Sequence, residues 1–97
     1  MKIYADLMQE YFKRHNPIWP ELEEVLKNHG VQNYSIFLDE QTHTLFGYAE
    51  IESEERWNAI ADTVICKKWW TYMADIMETH EDDSPVSTEL KNVFYLP

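Results

Sequence analysis

Tyr11-Phe12-Lys13-Arg14-His15-Asn16-Pro17-Ile18-Trp19-Pro20 is the stretch that decides how the chain is read. Helical up to His15, it stands Tyr11 and His15 one turn apart on a single face. Pro17 has no N–H to donate and drives Asn16 out of the α region, so the helix breaks there. Asn16 also reads as an N-cap, and Pro17 as the first residue of a second helix. A rigid corner therefore follows directly after a histidine, with Trp19 close by. A phenol, an imidazole and an indole at such a corner suit a small polar ligand with one apolar face. A plain helix–helix seam is the commoner use of a Tyr/His pair, but the rare residues gathered around this one weigh against it.

Outward from this corner, Lys2-Ile3-Tyr4-Ala5 reads as a short first strand and Asp6 as the cap of the first helix. Met8 and Phe12 make one apolar seam of that helix, and Leu7, Tyr11 and His15 the adjacent one. Glu10 and Arg14 form an i,i+4 pair, read most simply as a solvated face. The second helix runs from Pro17 to about His29 and buries Leu22, Val25, Leu26 and His29, until Gly30 stops it. Asn33–Leu38 alternates Tyr34, Ile36 and Leu38 against Ser35 and Phe37, which predicts a strand covered on both faces. After a polar turn at Asp39–His43, Leu45–Glu52 returns as its antiparallel partner. Gly47 in that partner leaves room for a close approach to the backbone.

Ser53 caps the next helix, with Glu54 and Glu55 in its first turn, where the helix dipole favours anions. Trp57, Ile60, Ala61 and Val64 form its inner stripe. From Thr63 to Met77 two apolar stripes run side by side, Ile65, Trp69, Tyr72 and Ile76 next to Cys66, Trp70, Met73 and Met77. So wide a face predicts that part of it borders a cavity. His80–Pro85 reads as an acidic loop and Asn92–Leu96 as a final strand. The order is that of an α+β, ferredoxin-like βαββαβ domain spanning residues 1–97, a four-stranded antiparallel sheet with helices on one face. Phe37 makes the other face apolar, and a symmetric homodimer with sheet packed on sheet would bury it.

Eight basic and 18 acidic side chains leave a net charge of −10. A phosphate backbone is repelled by such a surface, so nucleic acid is not an expected partner. A neutral ligand such as a sugar fits the balance. One cysteine excludes an internal disulfide, and without a signal peptide or a membrane-length apolar run a soluble cytoplasmic protein is expected.

Several chemistries find no support. His15, His29, His43 and His80 match no metal-ligand spacing and Cys66 has no partner cysteine, so no metal site is expected. Cys66 sits on an apolar helix face and reads as core. No G-x-S-x-G elbow is present, and two glycines are too few for a phosphate-cradling loop. Trp69 and Trp70 diverge by about 100° on a helix, so one faces the sheet and the other sideways. Either could be core, and either could be the flat platform for the C–H face of a pyranose. Tyr34 points to the helix-covered side, where its hydroxyl needs a ligand or a carbonyl as partner.

Arg14-His15-Asn16-Pro17-Ile18-Trp19-Pro20-Glu21-Leu22-Glu23 resembles the signature of the L-rhamnose mutarotase family. The likeness runs on through Val25-Leu26-Lys27, His29-Gly30, Asn33-Tyr34, Glu50–Ala59, Trp69-Trp70 and Val93-Phe94-Tyr95-Leu96-Pro97, across essentially the whole chain in one register. The resemblance implies a dimeric α+β barrel, with the first strand here truncated at the N-terminus. It implies an isomerase of rhamnose metabolism that needs no cofactor. In the family the histidine matching His15 is the proton donor, while residues matching Tyr11, Tyr34, Trp69 and Trp70 contact the sugar.

Mutarotation needs one acid and one base. The anomeric hydroxyl loses a proton as the ring oxygen gains one, the carbonyl rotates, and the ring recloses on its other face. Imidazole, with a pKa near 6.5, suits the main role, and a phenol near 10 is a donor or positioning group. Two rival classes share the expected fold or the ligand. Cofactor-independent monooxygenases and haem-degrading enzymes use ferredoxin-like dimers but lack the Arg14–Pro20 stretch, and a non-catalytic sugar-binding module would bind without speeding anomer exchange.

Overall fold

In the computed structural model, which describes residues 1–97, helices α1 (Met8–Arg14) and α2 (Pro20–Asn28) precede strands β1 (Val31–Asp39) and β2 (Thr44–Ile51). Helices α3 (Glu54–Ile60) and α4 (Val64–Met73) follow. The two strands pair antiparallel, with Tyr34 opposite Ala49, Ile36 opposite Gly47 and Leu38 opposite Leu45. The alternation expected of this hairpin is present. Tyr34, Ile36 and Leu38 border a cavity under the helices, while the cross-strand neighbours Phe37 and Phe46, with Tyr48, are exposed on the other face. That second face is therefore uncovered within the chain.

Backbone bonding continues past β2. Met1 and Leu45 exchange N–H···O bonds of 3.1 and 2.7 Å, and the Ile3 N–H reaches the His43 carbonyl at 3.0 Å. On the other side of the same segment, Tyr4 donates to Ile76 and Glu78 donates to Lys2, both at 3.0 Å. Residues 78–80 then turn back on 84–86 through the His80 N–H to Ser84 carbonyl bond of 2.8 Å and a Thr79–Pro85 bridge. Two expectations fall here. Helix α4 stops at Met73 and not Met77, because Ile76 and Met77 enter this pairing, where both are buried. Asn92–Leu96 forms no strand; the edge beside residues 1–4 is already taken by 76–78, and Val93 to Leu96 lie exposed.

Other local readings shift by a few residues. Helix α2 begins at Pro20, with Trp19 as its N-cap, so Pro20 and not Pro17 takes the first helical position. Asn16 closes α1 instead, its side-chain amide donating to the Phe12 carbonyl at 2.7 Å. The N-cap of α1 is Leu7, without a side-chain bond, while Asp6 adopts a positive φ of 69°. Ser53 does cap α3, accepting from the Arg56 N–H at 3.2 Å, and Thr63, which the sequence reading gave no cap role, caps α4 by accepting from the Cys66 N–H at 3.3 Å. Val64 opens α4 and points outward, and Phe12 lies at the surface and not in a seam. His29 is half-buried.

The main core gathers Ile3, Tyr11, Leu22, Leu45, Trp69 and Met73 with their neighbours, and a smaller one holds Val31, Ile60 and Cys66. Gly30 joins α2 to β1 at φ +84°, and a Cβ there would come within 2.6 Å of Glu52 Cβ. Only glycine meets both demands. Gly47 is different, since a Cβ would meet nothing closer than 4.0 Å and no group presses on the backbone there. No helix is long and apolar enough to cross a membrane.

Candidate active site

Helix α1 carries Tyr11 on its buried face, and His15 is the residue that caps its C-terminal end. The two rings stack, 4.3 Å between centroids and 26° between planes. His15 Nδ1 lies 3.0 Å from the Tyr11 carbonyl oxygen. A carbonyl only accepts, so Nδ1 carries the hydrogen and the neutral ring keeps its lone pair on Nε2. The ring edge of Trp69 meets His15 at 5.2 Å and 89°. Two aromatic rings thus hold the imidazole in one orientation, and the Tyr11 carbonyl fixes its tautomer.

Burial acts oppositely on the two partners. It lowers the His15 pKa below its ordinary 6.5, against a smaller opposing pull from the Tyr11 carbonyl. It raises the Tyr11 phenol well above 10, with the nearby Tyr34 phenol adding to the effect. The reason is the same in both cases: a poorly solvated site disfavours charge, which means the cation for histidine and the anion for tyrosine. Tyr34 is raised too, by burial first and then by Cys66. Tyr34 lines the cavity and is 42% exposed. Tyr34 packs on Trp57 at 5.7 Å, and neither its hydroxyl nor that of Tyr11 hydrogen-bonds to protein. No buried side-chain nitrogen or oxygen is left without a partner, so the unbonded Tyr11 hydroxyl opens onto accessible space.

That space is a cavity of about 920 Å³ between the helices and the hairpin, within the range of small-molecule sites. His15, Tyr11, Tyr34, Trp69 and Trp70 all line it. The five residues singled out in the sequence therefore share one wall system. Both tryptophans reach it, Trp69 from the core and Trp70 half-buried. Trp19 does not. It packs behind Trp69 at 5.0 Å and against Tyr72 at 5.2 Å, as a support for the wall. Cys66 is core as expected, with burial pushing its thiol up to about 11. Asn58, Asp83 and Ser84 also line the cavity and were not anticipated. A polar residue in a predicted loop, or on a helix outside its apolar stripe, carries no signal that distinguishes it from a solvated one.

Arg14 is not the solvated residue its spacing predicts. Its bond to Glu10 exists at 3.3 Å, but the side chain is only 12% exposed. Nη1 donates to the Tyr72 carbonyl at 2.7 Å and to Asp75 Oδ1 at 2.8 Å, and Nη2 reaches Asp75 Oδ2 at 3.3 Å. The guanidinium lies 4.4 Å from the Tyr72 ring centroid. The same contact holds the Asp75 carboxyl below its ordinary range.

A family model described as L-rhamnose mutarotase matches residues 1–96. L-rhamnose mutarotases of Shigella flexneri serotype 5b and Escherichia coli K12 are 60% and 59% identical to this chain. Both alignments take in the whole chain and 93% of the relative. A crystal structure of an L-rhamnose mutarotase from Formosa agariphila superposes with a TM-score of 0.91 at 45% identity, over all of this chain and 93% of that one.

Replacing Arg14 by lysine keeps the charge but cannot fork across Asp75 and the Tyr72 carbonyl. Arg14→Lys is expected to fold and to lose about 1 kcal/mol, which lowers the Tm by about 4–8 °C in a thermal melt followed by circular dichroism. An unchanged Tm would show the clamp to be idle.

Proposed function

The chain belongs to the L-rhamnose mutarotase family, carbohydrate isomerases that interconvert anomers, and on that premise we propose that its cavity binds L-rhamnose with His15 as the proton-transferring group. The observation that carries the reading is an imidazole locked through Nδ1, its Nε2 unbonded, on the wall of a cavity that also holds two unpaired phenols. In this reading neutral His15 takes the anomeric proton on Nε2. Tyr11, kept protonated by its burial, donates toward the ring oxygen or positions it. The C1–O5 bond breaks, the aldehyde rotates, and reclosure returns each proton. Tyr34 bonds a hydroxyl, and Trp69 and Trp70 face the apolar side of the pyranose. All of this is proton transfer among groups the chain supplies.

The proposal includes the assembly. Residues 1–4 and 76–78 extend the β1–β2 hairpin, by the bonds described, to a four-stranded antiparallel sheet of ferredoxin-like order, and two such sheets pack face to face in a homodimer. Its support is what one copy leaves unburied. Eleven of 97 residues are buried, while Phe37, Phe46 and Tyr48 stand 62%, 44% and 52% exposed on one sheet face. The free buried thiol fits a reducing, cytoplasmic setting.

Anomer exchange is read directly from NMR of α- and β-L-rhamnose, with the spontaneous rate subtracted. Folded His15→Ala is expected to lose about 10²–10⁴ of the catalysed rate, and a retained rate would remove His15 from the mechanism. The pH profile gives an independent reading. Because burial lowers the folded pKa, neutral His15 persists below pH 6.5, so kcat/KM should stay level above that value and fall only at lower pH. A limb centred at or above 6.5 argues against a buried neutral base. For the assembly, sedimentation should return twice the chain mass for the native protein and the single mass for Phe37→Lys; a native monomer contradicts the pairing.

A further inference from the structure

Three charged side chains line the cavity: Glu23, Lys27 and Asp83. The first two are spent on each other in a 2.9 Å ion pair on the exposed face of α2. Asp83 is in no ion pair and is half-buried. Its backbone is left-handed, φ +68°, and its N–H donates to the His80 carbonyl at 3.0 Å, which fixes the turn that presents it. Thr71, next in sequence to the cavity-lining Trp70, has Asp83 Oδ2 at 3.0 Å and the Lys67 carbonyl at 3.2 Å as acceptors for its one hydroxyl hydrogen, the carboxylate being the nearer and the charged one. The carboxylate is thus tethered through one oxygen to the helix that carries both tryptophans, and Oδ1 has no protein partner.

We infer that Asp83 is a specificity-determining residue of this cavity, whose Oδ1 accepts a hydrogen bond from one hydroxyl of the bound pyranose. The inference rests on the rhamnose mutarotase reading and deepens it. The other polar groups proposed to meet the sugar are phenols and indoles, which donate, and His15 Nε2, whose lone pair is committed to the anomeric proton. A neutral polyol also needs a committed acceptor, and the cavity has one unpaired carboxylate. A charge-assisted bond of this kind discriminates strongly against a sugar lacking the hydroxyl, because the carboxylate is then left without a partner. Thr71 acts through Asp83, as a positioning residue.

The test uses the full chain, anomer-exchange NMR, and L-rhamnose beside its 2-, 3- and 4-deoxy analogues. Asp83→Gly suits the left-handed backbone and removes the carboxylate; Asp83→Asn keeps the tether and the shape. Asp83→Gly is expected to raise KM for L-rhamnose about 10- to 100-fold with kcat changed less than about threefold. It should also abolish the preference of the native protein for rhamnose over one of the three analogues and leave the other two preferences intact. Asp83→Asn and Thr71→Val should fall between Asp83→Gly and the native protein. Native selectivity retained in Asp83→Gly, or an equal loss on all four sugars, overturns the inference while native exchange activity upholds the reading beneath it. A native protein that does not speed exchange of L-rhamnose overturns both.

Discussion

The Arg14 guanidinium, forked over Asp75 and bonded to the Tyr72 carbonyl, is the contact on which the site depends. Helix α1 has seven residues and no side-chain N-cap, too short to persist by local bonding alone. It is held from outside. Tyr11 is buried against the core, and Arg14 ties the C-terminal end to the turn that follows α4. His15 is the next residue. Its distance from Trp69, which α4 carries, is therefore set by a clamp between the same two helices, one residue away from the imidazole.

Burial then does the electrostatic work without a neighbouring charge. In a site walled by aromatic rings, histidine is kept neutral and tyrosine is kept protonated, by the same loss of solvation. One group is left with a bare ring nitrogen and the other with its hydroxyl hydrogen. Stacked a turn apart, they face the same cavity. The surface charge of −10 plays no part in this, and it gives a neutral substrate neither attraction nor repulsion.

The cavity exists because the two layers touch at few places. Gly30 turns α2 directly into β1, with Glu52 pressed against it, and so brings one helix close to one end of the hairpin. At the other end residues 1–4 lie between β2 and 76–78 and seat Ile3 in the main core. Between these anchors the sheet stands away from α1 and α4, and Tyr34 reaches into the gap. The opposite sheet face, with Phe37, Phe46 and Tyr48 outward, is a different kind of surface: aromatic and exposed.

Local chemistry was legible in the residues themselves. Proline breaks a helix and a serine caps one through contacts with its own neighbours in sequence, so the break after His15 and the cap at Ser53 could be read locally. Alternation sorted the hairpin faces for the same reason, since the pleat has a period of two whatever lies above it. The family signature marked the five cavity residues. What was not legible depended on competition between distant segments. The strand edge open to Asn92–Leu96 had been occupied by 76–78, and that also ended α4 early. Arg14 found Asp75 across 61 positions of sequence instead of water, and Asp83 found Thr71 across the cavity rim. Sequence by itself determined which segments turn, alternate or coil, because those preferences are local to a few residues. Only the tertiary structure decided which partner each edge and each charge would take, because such pairings are exclusive and the folded chain grants each group one.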